Sequence, residues 1–505
     1  MKMNVGKVLE GSVNKFGDRV AIIFEDERIS FRELNRLVNN LSAGLIGEGV
    51  RKGDCVVTFL PDAMDIALSY YAIMKVGAIH APLDVRLKEA EVKLIFGDAK
   101  PVVVITTSQF QDMFLSMRGE IPSIKSIIVV GEEVKEGGIS FNEMKNRASS
   151  RVIPVEVEDG DTALYLYTSG TTAKPKGVMV TFANLDWFPE DMHAIWKTNE
   201  DDIHMLSLPA SHISGPILFN QTIVKGIATS ILGAFNPRKW LENVEKNRVT
   251  ILHFVPPMAN ALIQLNQFEK YDLSSLKCVA LMGAYSTPGL VKELGEKMGL
   301  KRCCQGYGLT ETSPLLTLES PDSEAPLGNI GKPLPGKEVK IVDEDGDELP
   351  VGKVGEIVTR GSHVMRGYHN DPEATEEIIK DGWLHTGDLA RRDEDGYIYI
   401  VGRKQDRINV GGLMVYVSEV EDVLHHHPKI KEVAVVSAPD PKRGERIRAV
   451  VALKEGMEAT DKEIIDYCRE KMADYKVPKE VEFRESLPKT KTGKIARGEL
   501  AKKSS

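Results

Sequence analysis

Apolar and polar positions alternate along the first 150 residues in patterns that predict helices and strands in turn. Ser30 and Glu33 form a capping box at the start of "SFRELNRLVNNLSAGLIGEG", where Leu34, Leu37 and Leu41 recur at helical spacing. Short β-branched runs such as "CVVTFL" and "PVVVITT" predict buried strands. Because strands and helices are interleaved, we expect βαβ units and mostly parallel sheets.

The pattern changes near residue 336. Asp345-Gly346 and Asp395-Gly396 lie between apolar alternations, as in hairpins, so a small antiparallel unit is expected. A compact helix and strand pattern follows Arg403. We therefore predict an α/β fold with a large N-terminal domain, residues 1–402, built from βαβ-type subdomains and a small β-barrel-like unit over about 336–402. A small α+β C-terminal domain, residues 403–505, completes it.

Composition narrows the class of protein. The chain has 505 residues, 42% apolar and 28% charged, with a net charge of −9, so nucleic acid and anionic membranes are not expected partners. Five scattered cysteines without a CxxC pair indicate neither a disulfide framework nor a zinc site. The sequence shows no signal peptide and no apolar stretch long enough for a bilayer, so we predict a cytoplasmic protein without a transmembrane segment.

One loop gathers hydroxyls, glycines and cations. "YTSGTTAKPKG" runs from Tyr167 to Gly177 between the strand-like runs "TALYLY" and "GVMVT". Such a loop can present backbone N–H groups, hydroxyls and the ammonium groups of Lys174 and Lys176 to a phosphate. Its spacing is not that of a Walker A loop, and the chain has no GxGxxG. Taken alone, the motif is equally consistent with a polar surface loop.

Three further motifs follow in order: "GYGLTET", "HTGDLARRDEDGYIYIVGR" and "LPKTKTGKIARGEL". Together with the phosphate loop they resemble the adenylate-forming superfamily, which includes AMP-forming acyl-CoA synthetases, aryl-CoA ligases, luciferases and peptide-synthetase adenylation domains. The resemblance spans nearly the whole chain. It implies that a carboxylate attacks the α-phosphate of ATP, releasing pyrophosphate, and that a thiol then attacks the acyl carbon and releases AMP.

The resemblance implies a nucleotide site and a role for each member. The ATP/AMP-binding residues would be Thr168, Ser169, Gly170, Thr171, Thr172, Lys176, Gly283, Ala284, Gln305, Gly306, Tyr307, Thr310, Asp388, Arg403 and Lys494. The catalytic residues would be Lys494, bridging carboxylate and α-phosphate, Thr310, contacting the α-phosphate, and Glu311, the magnesium-associated acid. Asp388 and Arg403 would contact the ribose.

The acyl pocket is implied at three positions. In "LSLPASHISGP", His212 takes the place of a residue that lines the pocket, although a packed or surface histidine remains an alternative. Acetyl-CoA synthetases carry a Trp near the position of Gly308, so the glycine is interpreted as leaving room for an acid larger than acetate. Tyr285 stands where alanine is common and is expected to narrow the pocket.

The resemblance also implies a mobile C-terminal domain that brings Lys494 to the site for the first half-reaction and withdraws it for the second. The hinge position is Gln405, where the family usually has Asp or Lys, so the energetics of switching are expected to differ. Gly411 and Gly412 stand where the backbone closely approaches the pantetheine arm of CoA in relatives.

We therefore expect an AMP-forming acyl-CoA synthetase, an acid–thiol ligase that uses ATP, Mg²⁺ and CoA and has no tightly bound prosthetic group. Its acid would be larger than acetate, either fatty or aromatic, and the enzyme a monomer or homodimer. One alternative is a stand-alone adenylating enzyme that loads a carrier protein. A non-catalytic relative is disfavoured because Lys494, Glu311, Asp388 and Arg403 are all present.

Overall fold

The computed structural model describes residues 4–147, 152–168, 175–186, 188–284, 286–410, 413–440, 444–489 and 495–501. Two compact units are formed by this chain. The first comprises Met1–Glu338 and Thr359–Leu384, and the second comprises Val339–Val358 and His385–Ser505. The expected mixed α/β fold, large at the N-terminus and small at the C-terminus, is confirmed. Since compactness does not locate a hinge, the domain boundary at 402/403 stays a prediction.

Two sheets, parallel at their centres, form the first unit. In spatial order, the described strands of one sheet are Gly367–Tyr368, Lys176–Thr181, Thr162–Thr168, Ile79–Pro82, Cys55–Phe59, Val103–Thr107, Ser126–Val130 and Ile139–Ser140. Those of the other are Lys332–Pro333, Thr317–Leu318, Cys304–Tyr307, Cys278–Leu281, Ile251–Phe254, Ile203–Leu206, Ala228–Ile231, Val20–Phe24 and Glu27–Ser30. The central pairs are parallel, as the βαβ pattern predicted.

Helices follow most of these strands and cover the sheets. They are Val5–Phe16, Phe31–Gly47, Met64–Lys75, Glu89–Ala99, Gln111–Glu120, Phe141–Asn146, Phe182–Asp186, Phe188–Trp196, Ser214–Lys225, Pro237–Asn247, Pro256–Leu265, Pro288–Lys297 and Pro372–Ile378. One half of the predicted capping box is present, because the Ser30 hydroxyl accepts from the Glu33 N–H at 3.2 Å. The Glu33 carboxylate instead accepts from Arg36 at 2.8 and 2.7 Å. Leu34, Leu37 and Leu41 are buried, so this helix packs into the main core with the face its sequence predicted.

The second unit is antiparallel where the hairpin signals lie. Its first group of strands, some beginning or ending in the first unit, is Glu338–Val342, Gly355–Arg360, Trp383–Arg392 and Ile398–Arg403. The next strands, in chain order, are Arg407–Val410, Leu413–Tyr416, Ile430–Asp440, Gly444–Leu453 and Glu480–Phe483. Helices Val417–His425, Asp461–Arg469 and Arg497–Ala501 accompany them. In the described part of the chain, no helix has the length and apolar character to cross a membrane.

Candidate active site

The base of the predicted phosphate loop is a hairpin. Strands Thr162–Thr168 and Lys176–Thr181 are antiparallel, with Thr168 opposite Lys176. Tyr167 donates a hydrogen bond to Asp98 at 2.7 Å, which anchors the first strand. The predicted residues Ser169, Gly170, Thr171 and Thr172 lie outside the described residues. The two ends of the loop are thus held in register by the hairpin.

The segment from residue 365 to 369 makes hydrogen bonds both to this hairpin and to the "LTET" segment. The Met365 N–H donates to the carbonyl of Glu311 at 2.9 Å, and the His369 N–H donates to the carbonyl of Gly177 at 2.7 Å. Between them, Tyr368 pairs with Val178 as part of a two-residue strand. The backbone therefore holds Glu311 close to the strand that leaves the phosphate loop.

Tyr368 completes this connection with its side chain. Its hydroxyl donates to Glu311 Oε1 at 2.9 Å, and the ammonium of Lys176 lies 5.0 Å from the centre of its ring. Burial, together with the neighbouring Glu311 carboxylate, raises the pKa of Tyr368 well above its usual range, so the hydroxyl remains a donor. Tyr368 thus joins Lys176 and Glu311, and sequence analysis missed it. The only local signal is the run "RGYHNDP", which reads as an ordinary turn.

Thr310 and Gln305 lie on the adjoining strand and turn. Strand Cys304–Tyr307 is parallel to Cys278–Leu281, and Thr310 begins the 3₁₀ turn Thr310–Thr312 at its carboxyl end. Gln305 is buried and donates through Nε2 to the carbonyl of Ser286 at 3.5 Å. Tyr307 ends the strand. Carboxyl ends of parallel strands are the usual position of ligand sites in open α/β sheets.

The glycines here serve close packing. At Gly306, an added Cβ would lie 3.1 Å from Leu318 Cδ1, and Gly283 has a φ of +78°, which favours glycine. At Gly308, a Cβ would lie 1.7 Å from the carbonyl oxygen of Pro314. This backbone therefore leaves no space for a side chain at Gly308, and its part in the acyl pocket stays a prediction. Ala284 is exposed.

The segment carrying His212 is fixed by a half-buried acid, Asp62. The Ala210 N–H donates to Asp62 Oδ1 at 2.7 Å, and burial raises the pKa of Asp62 from 3.8 to about 6. His212 itself is exposed, and its N–H donates to the carbonyl of Pro209 at 2.9 Å. Its role in an acyl pocket stays a prediction. Tyr285, the other expected pocket residue, lies outside the described residues.

In the second unit, the two predicted ribose contacts are brought together. Asp388 and Arg403 are opposite each other on neighbouring antiparallel strands, and Arg403 Nε lies 3.0 Å from Asp388 Oδ1. The Asp388 carboxylate is nearly buried, with 7% of its side chain exposed, whereas 45% of Arg403 is exposed. The pair thus offers a fixed carboxylate beside an accessible guanidinium.

Glu356, which sequence analysis also missed, supports this pair. Its carboxylate accepts from the Gly387 N–H at 3.0 Å, from Lys404 Nζ at 3.0 Å and from His385 Nδ1 at 3.2 Å. Burial opposes the ionisation of Glu356, but the hydrogen bonds from Lys404 and His385 outweigh it and hold its pKa below the usual range. Glu356 therefore ties the strand that carries Asp388 to Lys404.

The remaining predicted residues of this unit are Gln405, Gly411, Gly412 and Lys494. Gln405 belongs to the 3₁₀ turn Lys404–Asp406, immediately after Arg403. The two glycines and Lys494 lie outside the described residues. Just beyond Lys494, the Ala496 N–H donates to the carbonyl of Pro488 at 2.8 Å, and Arg497 Nη2 donates to Glu421 at 2.8 Å. Both ends of the segment that carries the lysine are therefore anchored.

Family models establish the class of this protein. A model of the AMP-binding enzyme matches residues 9–369, and a model of the AMP-binding enzyme C-terminal domain matches residues 419–494. The chain belongs to the AMP-binding enzyme family, so the adenylate-forming superfamily indicated by the four motifs is confirmed. The expected class of enzyme, an AMP-forming acid–thiol ligase, is confirmed as well.

Individual relatives cover nearly the whole chain. A long-chain-fatty-acid–CoA ligase of Bacillus subtilis (strain 168) is 33% identical over 523 residues, covering 98% of this chain and 93% of the relative. A feruloyl-CoA synthase of Amycolatopsis sp is 33% identical over 477 residues, 94% of each. ATP-bound MatB from Rhodopseudomonas palustris superposes with a TM-score of 0.91 at 27% identity, covering 99% of this chain and 98% of MatB.

Proposed function

We propose that this chain is an AMP-forming acyl-CoA synthetase that converts a carboxylic acid larger than acetate to an acyl-adenylate and then to its CoA thioester. The observation that carries the proposal is the contact of Tyr368 with both Lys176 and Glu311. It places a cation of the phosphate loop and an acid of the "LTET" motif around one ring, in a family of ATP-dependent enzymes.

In the first half-reaction, an oxygen of the substrate carboxylate forms a bond to the α-phosphorus and pyrophosphate leaves. Negative charge moves through this centre, so fixed cations and N–H donors give the largest stabilisation. We assign the β/γ-phosphates to Thr168–Thr172 and Lys176, the α-phosphate to Thr310 and Lys494, and the ribose to Asp388 and Arg403. Gly283, Ala284, Gln305, Gly306 and Tyr307 line the nucleotide.

Glu311 fits the magnesium ion that accompanies ATP. Magnesium prefers carboxylate oxygens and keeps several waters, so one protein carboxylate suffices. Among the described residues, the hydrogen bond from Tyr368 uses Oε1 of Glu311, and the other oxygen can bind a cation. When bound, the ion would offset charge on the phosphates; Tyr368 keeps the carboxylate in place.

In the second half-reaction, the thiol sulfur of CoA bonds to the acyl carbon, AMP leaves and the thiol proton is lost. We assign Gly411 and Gly412 to CoA, residues 403–505 to a mobile domain and Gln405 to its hinge. The fatty-acid and feruloyl relatives are equally similar, which supports an acid that is either aliphatic or aromatic. We assign His212, Tyr285 and Gly308 to its pocket. The enzyme would act in the cytoplasm as a monomer or homodimer.

The test is a panel of carboxylic acids in two assays. Acid-dependent pyrophosphate exchange reports the adenylate, and chromatography with CoA reports the thioester. Exchange and thioester with at least one acid are expected. Pyrophosphate exchange together with a thioester that forms only on a carrier protein would show that the carrier protein, and not CoA, is the acceptor. No exchange with any acid would contradict the proposal.

A further inference from the structure

Three buried polar side chains form a chain between a helix and two strands of the first unit. Gln221 Oε1, on helix Ser214–Lys225, lies 2.9 Å from His204 Nδ1, and His204 Nε2 lies 3.2 Å from His253 Nδ1. Exposure is 1% for Gln221, 1% for His204 and 6% for His253. Burial lowers the pKa of His204 well below its usual range and that of His253 to about 4, so both rings are neutral.

With both rings neutral, the carbonyl oxygen of Gln221 fixes the direction of the hydrogen bonds along the chain. The carbonyl oxygen of Gln221 can only accept, so His204 Nδ1 carries a proton and His204 Nε2 is an acceptor. His253 Nδ1 must then donate to it. The remaining donor, Gln221 Nε2, is buried and has no hydrogen-bond partner among the described residues. A buried donor without a partner is destabilising, and an acceptor on a bound ligand would satisfy it.

The helix face that carries Gln221 has a second group of buried polar atoms. We call the position of each group along the helix axis a polar level. Ser214 lies seven residues before Gln221, two helical turns or about 10 Å away along the axis. The hydroxyls of Ser214 and of Ser207, which follows strand Ile203–Leu206, are also buried, with no partner in the part of the chain described. Ile217 and Leu218 lie between the two levels and are buried. Polar atoms therefore occur at both ends of an apolar stretch, and His212 directly precedes it.

We propose that Gln221, oriented by His204 and His253, is a specificity-determining residue that hydrogen-bonds a polar group at the far end of the substrate acid. This inference rests on the proposed function and refines its substrate class. A hydroxyl suits the position because it both accepts from an amide N–H and donates. The proposal places the substrate carboxylate at the level of Ser214, so the preferred acid, aryl or alkyl, carries such a group about 10 Å from its carboxylate, the separation along the helix of Ser214 and Gln221.

Matched pairs of acids test this inference: para-hydroxycinnamate against cinnamate, and ω-hydroxyoctanoate against octanoate. We expect the wild-type enzyme to have a higher kcat/KM for the hydroxylated member of at least one pair. Gln221→Met keeps the length of the side chain but removes both the amide donor and the oxygen that accepts from His204. The advantage of the hydroxylated acid should therefore fall by about two- to tenfold while the parent acid is spared. Gln221→Asn, which withdraws the amide, is the second variant if the first does not fold.

Thr222→Val is the matched control. Thr222 is the next residue of the helix, fully buried, and its hydroxyl bonds Thr229 at 2.7 Å rather than the Gln221 chain. It should leave the hydroxyl preference unchanged. A preference equal in the wild type and both Gln221 variants, or lost equally in Thr222→Val, would overturn the inference. Absence of exchange with every acid would instead refute the proposed function, so the two failures are distinguishable.

Discussion

Tyr368→Phe removes one hydroxyl and keeps the aromatic ring. The hydroxyl donates to Glu311 at 2.9 Å, and the ring contacts the Lys176 ammonium at 5.0 Å. A hydrogen bond to a charged group contributes about 1.5–3 kcal/mol. Since about 1.4 kcal/mol corresponds to a factor of ten, adenylate formation should slow by about 10- to 100-fold. The magnesium concentration for half-maximal rate should rise, because the Glu311 carboxylate is no longer held.

The assay is acid-dependent pyrophosphate exchange at a series of magnesium concentrations, beside thioester formation from supplied acyl-adenylate. Only pyrophosphate exchange should slow; thioester formation from supplied acyl-adenylate should not change. Tyr70→Phe is the matched control, because Tyr70 is a buried tyrosine that donates to Asn220 at 2.8 Å, in the core rather than beside Glu311. An unchanged exchange rate in Tyr368→Phe, or an equal loss in both half-reactions, would refute the reasoning.

Three other substitutions test separate parts of the account. Glu356→Gln weakens the support beneath Asp388, so the KM for ATP should rise severalfold in steady-state assays; an unchanged KM would contradict that role. Gly308→Ala would place a Cβ 1.7 Å from the Pro314 carbonyl oxygen and should cost about 1–3 kcal/mol of unfolding free energy, seen as a lower Tm. Because burial raises the pKa of Asp62 from 3.8 to about 6, the folded state binds that proton more tightly, so unfolding free energy falls as pH rises across this interval. Asp62→Asn should remove this contribution to the pH dependence of the unfolding free energy, measured by urea titrations at several pH values. An identical pH dependence in the variant would show that Asp62 does not titrate this way.

Local patterns predicted the elements that depend on neighbouring residues. The Ser30 side-chain cap, the leucine face of its helix and the turn at Asp395-Gly396 are formed as expected, because each depends on contacts a few residues apart. The last is closed by the Asp393 N–H, which donates to the carbonyl of Tyr397. The motif resemblance indicated the family for a different reason, since its segments are long and ordered along the chain.

Contacts between segments that are far apart along the chain could not be predicted from local sequence patterns. Tyr368 and Glu311 are 57 residues apart, and no spacing rule relates them. Glu356 is likewise 31 residues from Gly387, whose N–H it accepts. What a side chain at Gly308 would meet likewise depends on how the chain returns at Pro314. Residues that orient a site are therefore harder to predict than those named by a motif.

The central claim is that Lys494 acts in adenylate formation and not in thioester formation. The direct measurement compares the two half-reactions in Lys494→Ala, with the exposed Lys462→Ala of the same unit as control. We expect pyrophosphate exchange to fall by about 10²- to 10³-fold, as for loss of a preorganised donor, while supplied acyl-adenylate is still converted to the CoA thioester. Equal loss of both half-reactions, or exchange at the control rate, would contradict the account.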